Sequence, residues 1–230
     1  MSKESLQLAV LGSGRMGQQL VQVIDEAADC ELAGIWSRNS DADLAALLDA
    51  ADVAIDFTLA EATARIAGAA AARRTPLVCG VTGLDAAAED ALQKAARDIA
   101  ILYGRNMSRG IGVMSKLIRD AVRALGGEFT VEIRETHHIH KKDAPSGTAI
   151  ALREALGDDS IDIESRREGE VLGDHRVRFV SASETMEIAH SVSDRRVFAE
   201  GALAAACWLA DKSPGLYEMA DILSGVPGRA

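Results

Sequence analysis

The sequence predicts an α/β fold with a parallel sheet in its first half, followed by a smaller α+β region on an open antiparallel or mixed sheet. Three observations carry this. Short apolar runs alternate with helical stretches as far as Tyr103, the pattern of right-handed crossover units. A glycine-rich turn joins the first apolar run to the first helical stretch. Beyond Asn106 the alternation stops, and strand-like segments follow one another with no long helix between them.

Taken in order, Leu6 to Leu11 is apolar enough for a buried strand, and Gln18 to Ala28 is amphipathic. Glu31 to Ser37 and Asp52 to Thr58 read as the second and third strands, and Ala60 to Ala72 as a helix. Leu77 to Gly80 is a fourth strand, Leu84 to Asp98 a helix, and Ile99 to Tyr103 a fifth strand. Ser108 to Leu125 reads as a long helix, with Ser108 suited to its N-cap. Phe129 to Glu135 alternates as a half-buried strand does, and Arg176 to Val180 and Thr185 to His190 add two more. Val197 to Ala210 is an alanine-rich helix, and the apolar segment Leu216 to Leu223 is expected to pack nearby. The change of pattern near Asn106 places one domain over 1–107, completed by 196–230, and a second over 108–195.

Composition excludes several functions. The formal charge of −10 argues against nonspecific nucleic-acid binding, so basic groups that meet an anion must be concentrated locally. No apolar run approaches the ~18–20 residues of a membrane helix. Met1 to Ser5 carries no apolar signal region. Cys30, Cys79 and Cys207 are odd in number and far apart, which is no disulfide framework and predicts a reducing cytoplasm.

Gly12-x-Gly14-x-x-Gly17 lies between a strand and a helix, the context that gives this spacing meaning. The first glycine permits a tight turn, the second lets backbone approach a pyrophosphate, and the third lets helix pack on strand. The helix then offers free N–H groups to the phosphates. The first domain is therefore expected to be a Rossmann-type dinucleotide-binding domain. A carboxylate closing the second strand would bind the ribose 2′-hydroxyl of NAD, whereas Arg accommodates the 2′-phosphate of NADP. This chain has Ser37-Arg38-Asn39, with no carboxylate before Asp41. NADPH is expected to be preferred, with NADH as the alternative; the plain alternative for Arg38 is a solvated side chain beside a turn.

Glu135 to Ala149 is the densest chemistry in the chain, with three imidazoles, two ammonium groups and a helix start in fifteen residues. A turn needs only Pro, Gly and Asp. Pro145-Ser146-Gly147-Thr148 begins a helix whose N–H groups and hydroxyls suit a carboxylate, although capping alone would need just one hydroxyl. Lys141 adds a charge and is a candidate proton donor. His137 and His138 point to opposite sides if extended. A zinc reading is weak, because no cysteine or third spaced ligand supports it and the adjacent lysines repel a cation.

The segment Glu-x-His-His-x-x-Lys-x-Asp-Ala-Pro-Ser-Gly-Thr-Ala at 135–149 resembles, at every fixed position, the signature of the 4-hydroxy-tetrahydrodipicolinate (dihydrodipicolinate) reductase family. Gly-Arg-Met-Gly at 14–17, Asp56-Phe57-Thr58, Gly80-Val81-Thr82-Gly83, Asn106-x-Ser108-x-Gly110 and Phe198-Ala199-x-Gly201-Ala202 extend the resemblance along the chain. It implies a reductase of lysine and diaminopimelate biosynthesis. Nicotinamide C4 gives hydride to an unsaturated cyclic dicarboxylate derived from a hydroxylated precursor, and a proton completes the reduction. It implies His137 and Lys141 for proton transfer, the donor between them left open. His138, Lys141, Ser146, Gly147, Thr148 and Arg195 are implied to hold the substrate's carboxylates, with Arg196 the alternative to Arg195. Gly12, Gly14, Arg15, Met16, Gly17, Ser37, Arg38, Phe57, Thr58, Gly80, Thr82, Gly104, Asn106 and Met107 are implied to hold the cofactor, with no metal. The family's substrate domain forms a homotetramer through its open sheet. The chain departs from the family in a phosphate loop one residue shorter, in Ser37 where many members carry an acid, and in trimmed loops at 38–52 and 156–175. A small-acid dehydrogenase or a nucleotide sensor would share the glycine turn, but neither accounts for Ser146-Gly147-Thr148 beside two histidines. His175 and His190 read as structural or solvated.

Overall fold

The computed structural model describes residues 5–40 and 42–225. Asp41, the first carboxylate after the second strand, lies outside the described residues, as do 1–4 and 226–230. The chain divides into two compact units, one within 1–108 and 196–230, the other over 109–195.

The first unit runs β1 (Leu6–Leu11), α1 (Arg15–Asp25), β2 (Cys30–Trp36), α2 (Leu44–Asp49), β3 (Val53–Asp56), α3 (Ala60–Arg73), β4 (Leu77–Cys79), α4 (Ala86–Ala95) and β5 (Ala100–Tyr103). The second contains α5 (Arg109–Leu125), β6 (Thr130–His137), α6 (Gly147–Leu156), β7 (Ile163–Arg167), β8 (Asp174–Val180) and β9 (Thr185–Ser191). The chain returns to the first unit with α7 (Arg196–Leu209) and β10 (Gly215–Tyr217). Local chemistry sets many of these bounds. Asp43 and Asp85 cap α2 and α4 by accepting from Ala45 and Ala88 N–H. The left-handed residue Arg74 (φ 57°) ends α3.

In the first unit six strands lie in the order β10-β5-β4-β3-β1-β2, every adjacent pair parallel. Alternate strand residues bury on opposite faces. Leu8, Val10, Ile55, Val78 and Leu102 pack with Leu20 and Ile24 of α1 and with the alanines of α7. Ala9, Leu11, Ala54, Leu77 and Ile101 pack with Leu48, Ile66, Ala70 and Leu92 of α2, α3 and α4. Both faces are covered, as an all-parallel sheet requires. From β1 the chain goes to β2 on one side and then to β3 on the other, so the topological switch point lies between β1 and β3, where open α/β sheets bind ligands.

In the second unit the order β7-β6-β8-β9 pairs β6 with β7 in parallel and the other neighbours antiparallel, a mixed sheet. One face packs Ile133, Val177 and Phe179 against Ile111, Met114 and Ile118 of α5 and Leu152 of α6. The other face carries a charged ladder in which Arg178 meets Glu132 at 2.6 Å and Glu187 at 3.7 Å, and Arg134 meets Glu164 at 2.6 Å.

Four elements depart from the expected pattern, the first being α2, a six-residue helix in a stretch for which no element was expected. α1 begins at Arg15, before Gln18, because the glycine turn leads straight into the helix. β7 was not expected because its polar residues form a sheet edge, and β10 because it is three residues long.

Asp56, closing β3, is fully buried; one carboxylate oxygen accepts from Thr58 N–H at 2.8 Å and the other has no partner. Burial raises its pKa from 3.8 to about 6, against the opposing bonds from Thr58. A carboxyl whose pKa is raised on folding binds protons more readily folded than unfolded. Its penalty is therefore absent below pH 3.8 and complete above about pH 6. Asp56→Asn is expected to stabilise the protein at pH 7.5 by roughly 1–3 kcal/mol and to do nothing at pH 3.5. Urea unfolding at both pH values checks this, and equal effects at the two would contradict the burial argument.

Candidate active site

Within the first unit, the residues expected to hold a dinucleotide all follow the carboxyl ends of parallel strands. Gly12 to Gly17 follow β1, Ser37 and Arg38 follow β2, Phe57 and Thr58 follow β3, Gly80 and Thr82 follow β4, and Gly104, Asn106 and Met107 follow β5. Steric facts explain the glycines. Gly12 has φ +114°, and an added Cβ would stand 2.7 Å from the Phe57 carbonyl oxygen across the switch point. A Cβ on Gly17 would stand 1.9 Å from the Gly12 carbonyl oxygen, so the turn closes on the helix only if residue 17 has no side chain. A Cβ on Gly80 would meet the Phe57 ring at 2.3 Å. Gly14 occupies the N-cap of α1 and no side chain caps that helix, so its leading N–H groups face outward for a phosphate. This cradle fits a dinucleotide.

After β2, the exposed guanidinium of Arg38 lies 3.4 Å from Glu61 of α3. One turn further along α3, Arg65 places its guanidinium 5.5 Å from the centre of the Trp36 ring. Arg38, Arg65 and Glu61 thus stand beside the turn. Neither Glu61 nor Arg65 was picked out from the sequence, where nothing marks a helix surface as facing a strand end.

Within the second unit, the alternation of β6 builds the site. Ile133, Glu135 and His137 share its inner face. Glu135 pairs across the sheet with His175, which pairs with His190. The inner face therefore turns from apolar to polar toward the end of β6. Glu135 is fully buried, as are His175 (1% exposed) and His137 (7% exposed). One Glu135 oxygen is in hydrogen-bond contact with His137 Nδ1; the other accepts from Arg167 Nη1 at 3.0 Å and from Ser146 N–H at 3.3 Å. The His137 and His175 rings meet edge to face with centroids 5.2 Å apart.

The electrostatics follow from this arrangement. Burial pushes Glu135 up, but hydrogen bonds from His137 and Arg167 outweigh it and hold the carboxyl below its ordinary value. Burial lowers His137 more than Glu135 raises it, with Lys141 and Arg167 adding repulsion. Burial, with His137 nearby, takes His175 down to about 3. The cluster at neutral pH is therefore one carboxylate, one guanidinium and neutral imidazoles.

The loop after β6 brings the remaining residues together. Lys141 Nζ lies 2.9 Å from Asp143, with about a quarter of its side chain exposed. Ser146 caps α6 by accepting from Ala149 N–H at 3.2 Å, and its hydroxyl lies 3.4 Å from His175 Nε2. Thr148, in the first turn, is buried. Arg195 Nη2 lies 3.3 Å from His138 Nε2, whereas Arg196 pairs with Glu26 and Glu200 in the first unit. Arg167 donates from Nε to the Lys141 carbonyl at 3.1 Å and from Nη2 to the Asp143 carbonyl. His140 is exposed, its ring centre 6.2 Å from that of His138 and its Nε2 3.8 Å from Glu170. Arg167 and His175 are members of the cluster that the sequence reading left without a role. Among the described residues, no group of three His, Cys, Asp or Glu is placed to hold a metal ion. No helix among them is long and apolar enough to cross a membrane.

Comparison with known proteins points to one family. The family model described as dihydrodipicolinate reductase, N-terminus, matches residues 6–107, and that described as dihydrodipicolinate reductase, C-terminus, matches 110–223. The 4-hydroxy-tetrahydrodipicolinate reductase of Alkalilimnicola ehrlichii is 38% identical over 261 aligned residues, spanning 94% of this chain and 98% of that protein. The enzyme of the same name from Sulfurimonas denitrificans is 35% identical over 253, spanning 95% and 99%. Among solved structures, dipicolinate-bound dihydrodipicolinate reductase from Paenisporosarcina sp. TG-14 superposes with a TM-score of 0.79 at 20% identity, covering 93% of this chain and 97% of that one. Two matched domain models, and relatives above one-third identity along nearly the whole chain, establish that the chain belongs to the 4-hydroxy-tetrahydrodipicolinate (dihydrodipicolinate) reductase family.

Proposed function

We propose that this chain catalyses the NAD(P)H-dependent reduction of the dihydrodipicolinate-type cyclic dicarboxylate, formed from 4-hydroxy-tetrahydrodipicolinate, to tetrahydrodipicolinate. The observation that carries the reading is the convergence, in the second unit, of Lys141, His137, the His138–Arg195 pair and the N-terminus of α6. That set offers cations and N–H donors to two carboxylates and a proton group between them. The bound dipicolinate of the Paenisporosarcina relative, a planar ring with two carboxylates, has the shape this site suits.

When bound, the reduced nicotinamide supplies the hydride. The residues of the chain do the rest. Gly12, Gly14, Arg15, Met16 and Gly17 hold the pyrophosphate, and Phe57, Thr58, Gly80, Thr82, Gly104, Asn106 and Met107 hold the nicotinamide end. His138, Lys141, Arg195 and the Ser146–Thr148 turn hold the substrate's carboxylates. Negative charge developing toward the ring nitrogen is stabilised by these preorganised donors, most strongly where water is excluded. His137 and Lys141 share the proton transfer. The first unit, 1–107 with 196–230, serves as the nucleotide domain and 108–195 as the substrate domain. The charged outer face of the β7-β6-β8-β9 sheet is the surface through which four copies assemble in the cytoplasm.

NADPH is the preferred reductant, because Arg38 and Arg65 flank the turn after β2, with Arg38 engaged only by the exposed Glu61 among the ion pairs of the described residues. Following NADPH and NADH absorbance with freshly generated substrate tests both the reaction and the preference. Turnover is expected with the lysine-pathway substrate and not with 2-keto acids, with a lower KM for NADPH than for NADH. Arg38→Ala is expected to raise the NADPH KM about tenfold or more, the value of one charge-assisted contact, and to leave NADH unchanged. A lower KM for NADH would refute the preference without touching the reaction.

A further inference from the structure

Glu135, at the centre of the buried cluster of the second unit, has no role in the reaction as proposed. It is fully buried, yet three donors converge on it. We propose that Glu135, pinned by Arg167 and the Ser146 N–H, is a positioning residue that fixes His137 with its proton on Nδ1 and leaves Nε2 as the atom offered to the substrate.

The assignment follows from donor chemistry. Arg167 and a backbone N–H can only donate, so the oxygen they share must accept. The second oxygen belongs to the same carboxylate and receives His137 Nδ1–H. An imidazole that donates from Nδ1 leaves Nε2 bare in a fixed ring orientation: Nε2 takes a proton from Lys141 or solvent, and the imidazolium so formed, steadied by Glu135, passes that proton to the reduced ring and returns to the neutral state. Gly173 keeps that nitrogen clear: an added Cβ would stand only 3.2 Å from His137 Nε2. Arg167 extends the device. While one Nη holds Glu135, its Nε and other Nη hold the carbonyls of Lys141 and Asp143. The imidazole and the ammonium expected to move the proton therefore hang from one buried ion pair.

The charged and titratable groups that face His137 are Glu135 on its own strand, Lys141 from the following loop, Arg167 from β7 and His175 from β8. His190 of β9 stands behind His175. Of these, only Glu135 favours the charged imidazolium of His137, and burial opposes it. Removing the Glu135 charge therefore moves any pH-rate limb governed by His137 toward lower pH.

Glu135→Gln is a sharp test. The amide oxygen must take the place facing Arg167 and Ser146 N–H, since both only donate. The amide NH₂ then faces His137 Nδ1 and donates to it, which drives the imidazole proton to Nε2. The His137 ¹⁵N shifts are expected to report a proton on Nδ1 in the wild type and on Nε2 in the variant. kcat is expected to fall by ~10²–10⁴-fold, the range seen where an orienting carboxylate is amidated elsewhere. The KM for the dicarboxylate stays within about threefold, because the α6 start keeps its anchor. A merely structural role would raise KM and leave the tautomer alone. A wild-type proton on Nε2, or wild-type kcat in Glu135→Gln, overturns the proposal. If the variant fails to fold, the wild-type tautomer decides in the same way. The role rests on the function proposed above. Lack of NADPH oxidation by the wild type would sink both, while a proton on Nδ1 would still stand as a finding about the fold.

Discussion

Lys141→Ala is expected to lower kcat by ~10²–10⁴-fold, the contribution of a positioned proton donor, while the protein remains folded. The structure separates the two effects. Lys141 Nζ contacts the exposed Asp143 at 2.9 Å, so its removal strands no buried charge. Its backbone is held independently, by Arg167 on its carbonyl and by its own N–H on the His138 carbonyl. His138→Ala and Arg195→Ala should behave differently. Their side chains contact each other at 3.3 Å and are assigned to holding carboxylates, so the substrate KM rises and kcat changes little. Steady-state kinetics on the three variants checks the division. Near-wild-type turnover in Lys141→Ala would defeat the assignment of proton transfer, and unchanged KM in Arg195→Ala would move that contact to Arg196.

Gly17→Ala is expected to be the most damaging single methyl group that can be added to the nucleotide site. Its Cβ would fall 1.9 Å from the Gly12 carbonyl oxygen and 2.9 Å from the carbonyl carbon, and neither can rotate away. Overpacking against a movable side chain costs ~1–3 kcal/mol, and a backbone clash lies at or above the upper end. Either the turn opens, which spoils the phosphate cradle, or α1 lifts from the sheet that it covers through Leu20 and Ile24. Both outcomes weaken NADPH binding, so calorimetric titration should show loss of affinity beside a lowered Tm. Gly14→Ala serves as the control for stability alone: nothing in the protein lies within 4 Å of its added Cβ, so its Tm should hold even where the methyl group crowds the phosphate. Equal loss of Tm in the two would sink the steric account.

The parts legible in the sequence were those whose cause is local. The glycine turn is written in residue types because the close approach of Gly12 and Gly17 involves neighbours in sequence. Strands β1 to β5 announce themselves by apolar runs, since a doubly covered sheet needs them. The Ser146 cap was visible because capping needs only the next three residues. What stayed hidden depends on register between distant strands. Arg167 reaches Glu135 only because β7 pairs in parallel with β6, and His175 joins them only because β8 runs antiparallel beside it. In the linear chain, Arg167 is one of several charges around an unremarkable loop. Glu135 could have been given a role earlier, since two-residue alternation puts it on the face of His137.

The path of the chain also constrains its birth on the ribosome. Residues 109–195 are contiguous and enclose a core of their own, so they can fold once they have emerged. The amino-terminal unit cannot finish then, although all five of its leading strands are already made. One face of its sheet is covered by α1 alone until the alanines of α7 arrive, and its border strand is the still later β10. The half synthesised first is completed last, and while translation proceeds its exposed apolar surface is a natural client for chaperones.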